Sequence, residues 1–156
     1  MIPISSLKGL HILGVIVFMG NIIITGWWKA MADRHGDPKV VAFAQRQVTL
    51  TDFVFTAGGS ALLLLGGLGN ALWHGMDYLH IPWLAWGYGL FVASGVIWVT
   101  ILIPVQIKQA RMARVFAYGD KIPAEYWRLA RIWNVFGVLA TILPLIALYF
   151  MVFKPV

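Results

Sequence analysis

Histidine and aspartate carry the chemistry open to this chain, because it has no cysteine to supply a thiolate nucleophile, a disulfide or an iron–sulfur ligand. The histidines stand at positions 11, 35, 74 and 80. A neutral imidazole ligates transition metals and haem iron. His11 shares a helical stripe with Gly14, Phe18, Asn21 and Thr25, spaced three and four residues apart. Asp52 heads a second stripe with Thr56, Gly59, Gly66, Asn70 and, if the helix continues that far, His74. On one helix Asp52 and His74 lie about 33 Å apart, too far to serve one small site. His11 is therefore the first candidate haem or metal ligand, with His74 as its partner and His80 as a further metal candidate. Gly14 and the glycines of the second stripe are expected to make room for a flat macrocycle, and Asn21 offers an amide on the His11 face. Asp52 is expected to pair with Arg46, Arg131 or Asn134, since an isolated carboxylate in lipid is costly. Proton handling is its rival role.

The elements that position these residues are four long apolar segments, at about 8–28, 50–72, 84–107 and 132–153. The chain is 60% hydrophobic, against about 45–50% in a soluble domain, and the excess is lipid-facing surface. Each segment approaches or exceeds the roughly 20 residues that cross a hydrocarbon core. Helices are required there, because an unpaired backbone amide in lipid costs several kcal/mol. The expected fold is all-α, a four-transmembrane-helix bundle forming one integral membrane domain over residues 1–156. The first segment is too long for a secretory signal core and runs into Trp27-Trp28-Lys29, where a signal would carry a small-residue cleavage site.

Charge orients the bundle. The net charge is +6, but it is not arranged as a nucleic-acid patch. Lys29, Arg34, Lys39 and Arg46 lie in the first connection, and Lys108, Arg111, Arg114, Lys121, Arg128 and Arg131 in the third, while the second has none. Basic connections stay on the cytoplasmic side, so both termini are expected outside, with His11, His74 and His80 near the outer face and His35 inside. Residues 30–47 read in part as a short surface helix, with a turn at Gly36-Asp37-Pro38. Trp27, Trp28, Trp73, Trp83 and Trp86 form interfacial belts, with Tyr78 in the outer turn, and Asp120 belongs to the inner one. Pro104 and Pro144 each remove a helix hydrogen bond and predict bends.

Leu7-Lys8-Gly9-Leu10-His11-Ile12-Leu13-Gly14, Pro82-Trp83, Trp98, Leu102-Ile103-Pro104-Val105-Gln106 and Arg111-Met112-Ala113 resemble the pattern of a family of uncharacterised bacterial four-helix integral membrane proteins. The resemblance covers most of the chain and implies a multi-pass protein of the bacterial inner membrane. More distantly, Lys8-x-x-His11 on the first helix is similar to haem-associated protoporphyrinogen oxidases and copper-resistance membrane proteins, which implies a ligand or catalytic role for His11. The leading expectation is a protein that binds haem b and transfers electrons, with membrane lipids around it and a quinone or membrane redox protein as partner. The alternative is a non-enzymatic accessory subunit of a homo- or hetero-oligomeric membrane complex; an ion or small-molecule transporter comes third.

Overall fold

The structure, a computed structural model, describes residues 4–77, 80–119 and 121–155. Tyr78 and Asp120 lie outside the described residues. Four helical columns run antiparallel. The first is α1 (Ile4–His35). The second begins as α2 (Pro38–Thr51), widens into a π-helical turn at Asp52–Thr56 and continues as α3 (Ala57–Trp73). The third is built alike: α4 (Pro82–Ile97), a π-helical turn at Trp98–Leu102, then α5 (Ile103–Phe116). The fourth is α6 (Ala124–Phe153). All four are long and apolar enough to cross a membrane.

The columns are longer than the apolar segments alone suggest. The second covers 36 residues and the third 35, about 50 Å of helix against a hydrocarbon core of roughly 30 Å. The surplus lies at the basic end. Residues 30–47 form no separate surface helix. Ala30 to His35 completes α1, Gly36 and Asp37 turn the chain, and α2 runs straight into the second column. Gly36 holds φ 76°, a conformation glycine adopts without strain. Buried Val41, Ala42, Ala113, Phe116, Tyr126 and Ala130 form a hydrophobic cluster there, so the extension is packed bundle, not loop.

Asp37 starts α2 by accepting hydrogen bonds from the Lys39 N–H (2.8 Å) and the Val40 N–H (3.1 Å), with Pro38 at the first helical turn. The Val40 hydrogen bond, helped by those of Lys39 and the nearby His35 and Lys39 charges, holds this carboxyl below its usual range. A carboxyl lowered on folding stabilises the native state above the unfolded value, about 3.9, and that contribution is lost as pH falls through the native value. Protection of the Lys39 and Val40 amides, taken relative to the intrinsic exchange rate at each pH, is therefore expected to fall on acidification below about pH 4, and to be low at neutral pH in Asp37→Ala. Equal protection in both proteins would exclude the cap.

Two pairings organise the bundle: α1 packs along α3, and α4 along α6. Glycine sets the first. A Cβ on Gly14 would strike the Leu63 backbone, one on Gly66 the His11 backbone, and one on Gly59 would stand 2.7 Å from the Phe18 nitrogen. The space expected for a macrocycle at Gly14 is thus filled by the facing helix, as in other small-residue contacts between membrane helices. In the second pairing, Ser94 Oγ donates to the Ala140 carbonyl at 2.6 Å.

The π-helical turns have local causes and consequences. Pro104 cannot donate to the Thr100 carbonyl; just before it the ladder widens, with the Ile103 N–H reaching back five residues to Trp98. In the second column the Ala57 N–H reaches the Asp52 carbonyl in the same way. Such single widened turns occur disproportionately at functional positions. Pro144 is buried inside α6.

Candidate functional site

The structure separates the histidines. His11 is half-buried against Gly67, and its Nδ1 donates to the Leu63 carbonyl at 2.8 Å. His74 is exposed; it caps the end of α3, where its Nδ1 donates to the Asn70 carbonyl at 2.8 Å. Gly66 abuts His11, and His74 stands eight residues further along the chain, about 12 Å along a helix axis. The two imidazoles therefore sit at different levels and do not form an axial pair across one iron. His80 is exposed, with its Nδ1 2.6 Å from Asp77 Oδ2. Among the described residues no group of three or more His, Asp or Glu side chains gathers into a metal-binding cluster.

The inward stripes expected of the first two columns are present, but their focus is Asp52. Gly14, Phe18, Asn21 and Thr25 are buried on α1, as are Asp52, Thr56, Gly59 and Gly66 opposite. Asn21 Nδ2 donates to Asp52 Oδ1 at 3.2 Å and to Thr56 Oγ1 at 2.9 Å, and Thr56 Oγ1 donates to the same carboxylate oxygen at 3.0 Å. The widened turn sets Thr56 beside Asp52. Gln106 lines a small pocket together with Asp52 and accepts from Trp133 Nε1 at 3.1 Å. Among the described residues no ion pair joins Asp52 to Arg46 or Arg131. Both arginines are exposed, and so is Asn134. Asp52 is 7% exposed and its partners are neutral.

Asp52 lines a cavity of about 1260 Å³ between the α1–α3 pair and the α4–α6 pair. Its walls are apolar and aromatic, with Phe18, Tyr88, Phe91, Trp98 and Trp133 among them. The carboxyl and amide of the lining, Asp52 and Asn134, lie toward the basic end with Thr25 and Thr56, and the hydroxyls of Ser60, Ser94 and Thr141 lie further along the walls. Ile23, Trp27, Val96, Val99 and Val138 belong both to the lining and to the exposed apolar surface, so the cavity is a lateral opening toward lipid. Among the described residues no histidine, lysine or arginine lines it. A model of the predicted integral membrane protein family DUF2269 matches residues 5–155. The chain belongs to this family. No curated protein and no solved structure matches it.

Beyond the cavity, this DUF2269 chain carries a buried ion pair that sequence reasoning missed. Lys29, expected in the first basic connection, is fully buried: Nζ donates to Asp33 Oδ2 at 2.8 Å and to the Tyr126 hydroxyl at 3.1 Å. The ammonium also lies 5.1 Å from the Tyr126 ring centre and 5.5 Å from that of Trp133. The Tyr126 hydroxyl faces Gln45 Oε1 at 3.2 Å. A signal was present, because Asn21, Thr25, Lys29 and Asp33 recur every four residues and continue the α1 stripe past the tryptophan belt. For Gln45, Gln106 and Gln109 there was no such signal. Only the juxtaposition of separate columns buries them.

Proposed function

We propose that this chain is a membrane-embedded binding protein for an amphiphilic small molecule that enters sideways from the bilayer. The observation that carries this reading is the cavity: about 1260 Å³, larger than typical small-molecule sites of roughly 300–1,000 Å³, greasy along its walls and polar at one end. An apolar body leaves lipid at little cost for such walls, and its polar head meets Asp52, Thr25 and Asn134. Asn134 makes no hydrogen bond among the described residues and offers an amide donor and acceptor to that head. The positive-inside rule puts this polar end nearer the cytoplasm of the bacterial inner membrane and both termini outside.

The haem b and electron-transfer expectation receives less support from these residues. The cavity has the room but, among the described residues, no imidazole lines it, and His11 and His74 bond to backbone carbonyls of α3 outside it. A quinone, whose carbonyls accept hydrogen bonds, falls within the amphiphile class.

Gly95 provides the test. It lines the cavity, and a Cβ there meets nothing within 4 Å, so Gly95→Phe is expected to fill the space without breaking the bundle. Organic extraction of the purified protein and mass spectrometry should find an apolar species enriched over bulk lipid in the parent and depleted in the variant. Equal content in both proteins would overturn the reading. Stoichiometric co-purification of another membrane protein, lost in Gly95→Phe, would overturn it in favour of an accessory subunit whose partner occupies the opening. A Soret band in the parent that disappears in His11→Ala would restore the haem reading.

A further inference from the structure

Resting on that reading, we propose that the molecule taken by the cavity is a lipophilic organic cation, bound at Asp52 in exchange for a proton. The charge inventory of the lining is the first argument. Asp52 and Tyr88 are its ionisable residues among those described, and no cationic side chain joins them. A fatty acid or phosphorylated head would meet a carboxyl with no compensating positive charge, and like charges in a low-dielectric site repel strongly. The partners of Asp52 are the second argument. Asn21 and Thr56 solvate the carboxylate without neutralising it, so the ionised form lacks a counter-charge that a ligand cation would supply. The aromatic rings are the third. Trp98, Trp133 and Phe91 line the same space, and the faces of such rings attract desolvated cations.

The surroundings leave the exchange to Asp52. On α1 the neighbours are neutral Asn21 and Thr25, and the nearest cation, Lys29, is engaged with Asp33 and Tyr126. Lys29 is eight residues from Asn21, about 12 Å along the helix. On the second column Arg46 is exposed; on the third Trp98 and Gln106 are neutral and Lys108 is exposed. On α6 Trp133 and Asn134 are neutral and Arg131 is exposed. Tyr88 lines the cavity ten residues before Trp98, about 15 Å away along its column. Occupied by a cation, Asp52 is ionised; empty, it takes a proton from solution. Each cation that enters a protonated site releases one proton, so the charge in the membrane interior is unchanged by the exchange.

The test uses the full chain in nanodiscs of neutral phosphatidylcholine, with binding read by tryptophan fluorescence. The probes are tetraphenylphosphonium, a permanent cation, and tetraphenylmethane, its neutral analogue of similar shape. Tetraphenylphosphonium is expected to bind at alkaline pH and to weaken about tenfold per pH unit once Asp52 protonates. Asp52→Asn should abolish that pH dependence and weaken the cation by at least about tenfold, while tetraphenylmethane binds parent and variant alike at every pH. Asp52→Glu, which keeps the charge, should keep the pH-dependent cation binding. Equal, pH-independent binding of both probes would overturn the cation assignment and leave the amphiphile reading standing. Binding of tetraphenylmethane without tetraphenylphosphonium would overturn the cation assignment alone, and failure of both probes to bind the parent at any pH would remove both readings. Undiminished tetraphenylphosphonium binding to Asp52→Asn would overturn the proposal by itself.

Discussion

Asp33→Ala is expected to destabilise the purified protein by about 3–5 kcal/mol, because it leaves the Lys29 ammonium enclosed without its carboxylate. Lys29 is fully buried, and the Asp33 side chain is 11% exposed at 2.8 Å from it. The remaining partners cannot replace the charge: the Tyr126 hydroxyl and the Tyr126 and Trp133 rings offer only dipoles and quadrupoles. The sign of the effect depends on which partner goes. Removing the cation and the anion together, as Lys29→Met with Asp33→Leu, replaces a desolvated ion pair by apolar volume, a change that is often neutral or stabilising. Thermal unfolding in detergent, followed by size-exclusion chromatography of heated samples, checks both. An Asp33→Ala protein as stable as the parent, or a double variant less stable than the single one, would refute the interior ion pair.

Gly14→Val should prevent the first two columns from closing. The Cβ alone would overlap the Leu63 backbone and approach the Gly59 carbonyl oxygen at 2.9 Å, and backbone yields less readily than a side-chain tip. Overpacking of a well-packed core costs typically 1–3 kcal/mol; here the obstacle is a helix axis, and a larger loss follows. The same helix supplies its own control. Gly20 and Gly26 face open space, so Gly20→Ala is expected to leave the protein unchanged or more stable, since alanine favours helix over glycine by about 1 kcal/mol. Chromatographic monodispersity and the unfolding midpoint distinguish the positions. Similar behaviour of Gly14→Val and Gly20→Ala would show that the α1–α3 contact is not set by glycine.

Both experiments bear on function through Asp52. The glycine contact holds α1 in the register that brings Asn21 onto Asp52 and Thr56, and the Lys29 pair anchors α1 to α6 where the polar end of the cavity begins. A loosened α1 shifts the wall of the opening as well as the stability of the bundle.

How much of this was legible follows from what each feature depends on. Helix number is local: apolar runs of sufficient length act along one segment, and the structure has four helices long and apolar enough to cross a membrane, each longer than its apolar run. The buried face of α1 was readable for the same reason, from Gly14, Phe18, Asn21 and Thr25. The site was not. His11 and Gly14 share the expected stripe, yet that stripe is closed by α3, because small residues invite the neighbouring backbone into any space they leave. Glycine spacing alone does not distinguish a socket for a ligand from a socket for a helix.

From its own pattern the chain determined four membrane-crossing helices, their alternating direction and a strongly basic end, because hydrophobic transfer and charge placement are properties of residues in order. Only the tertiary structure decided that Lys29 is interior, that a widened turn begins at Asp52, and that the space between the helix pairs is aromatic and, among the described residues, free of cationic side chains. Those facts depend on the register between columns, and register is set by contacts between residues far apart in the chain, such as Asn21 with Asp52 and Lys29 with Tyr126.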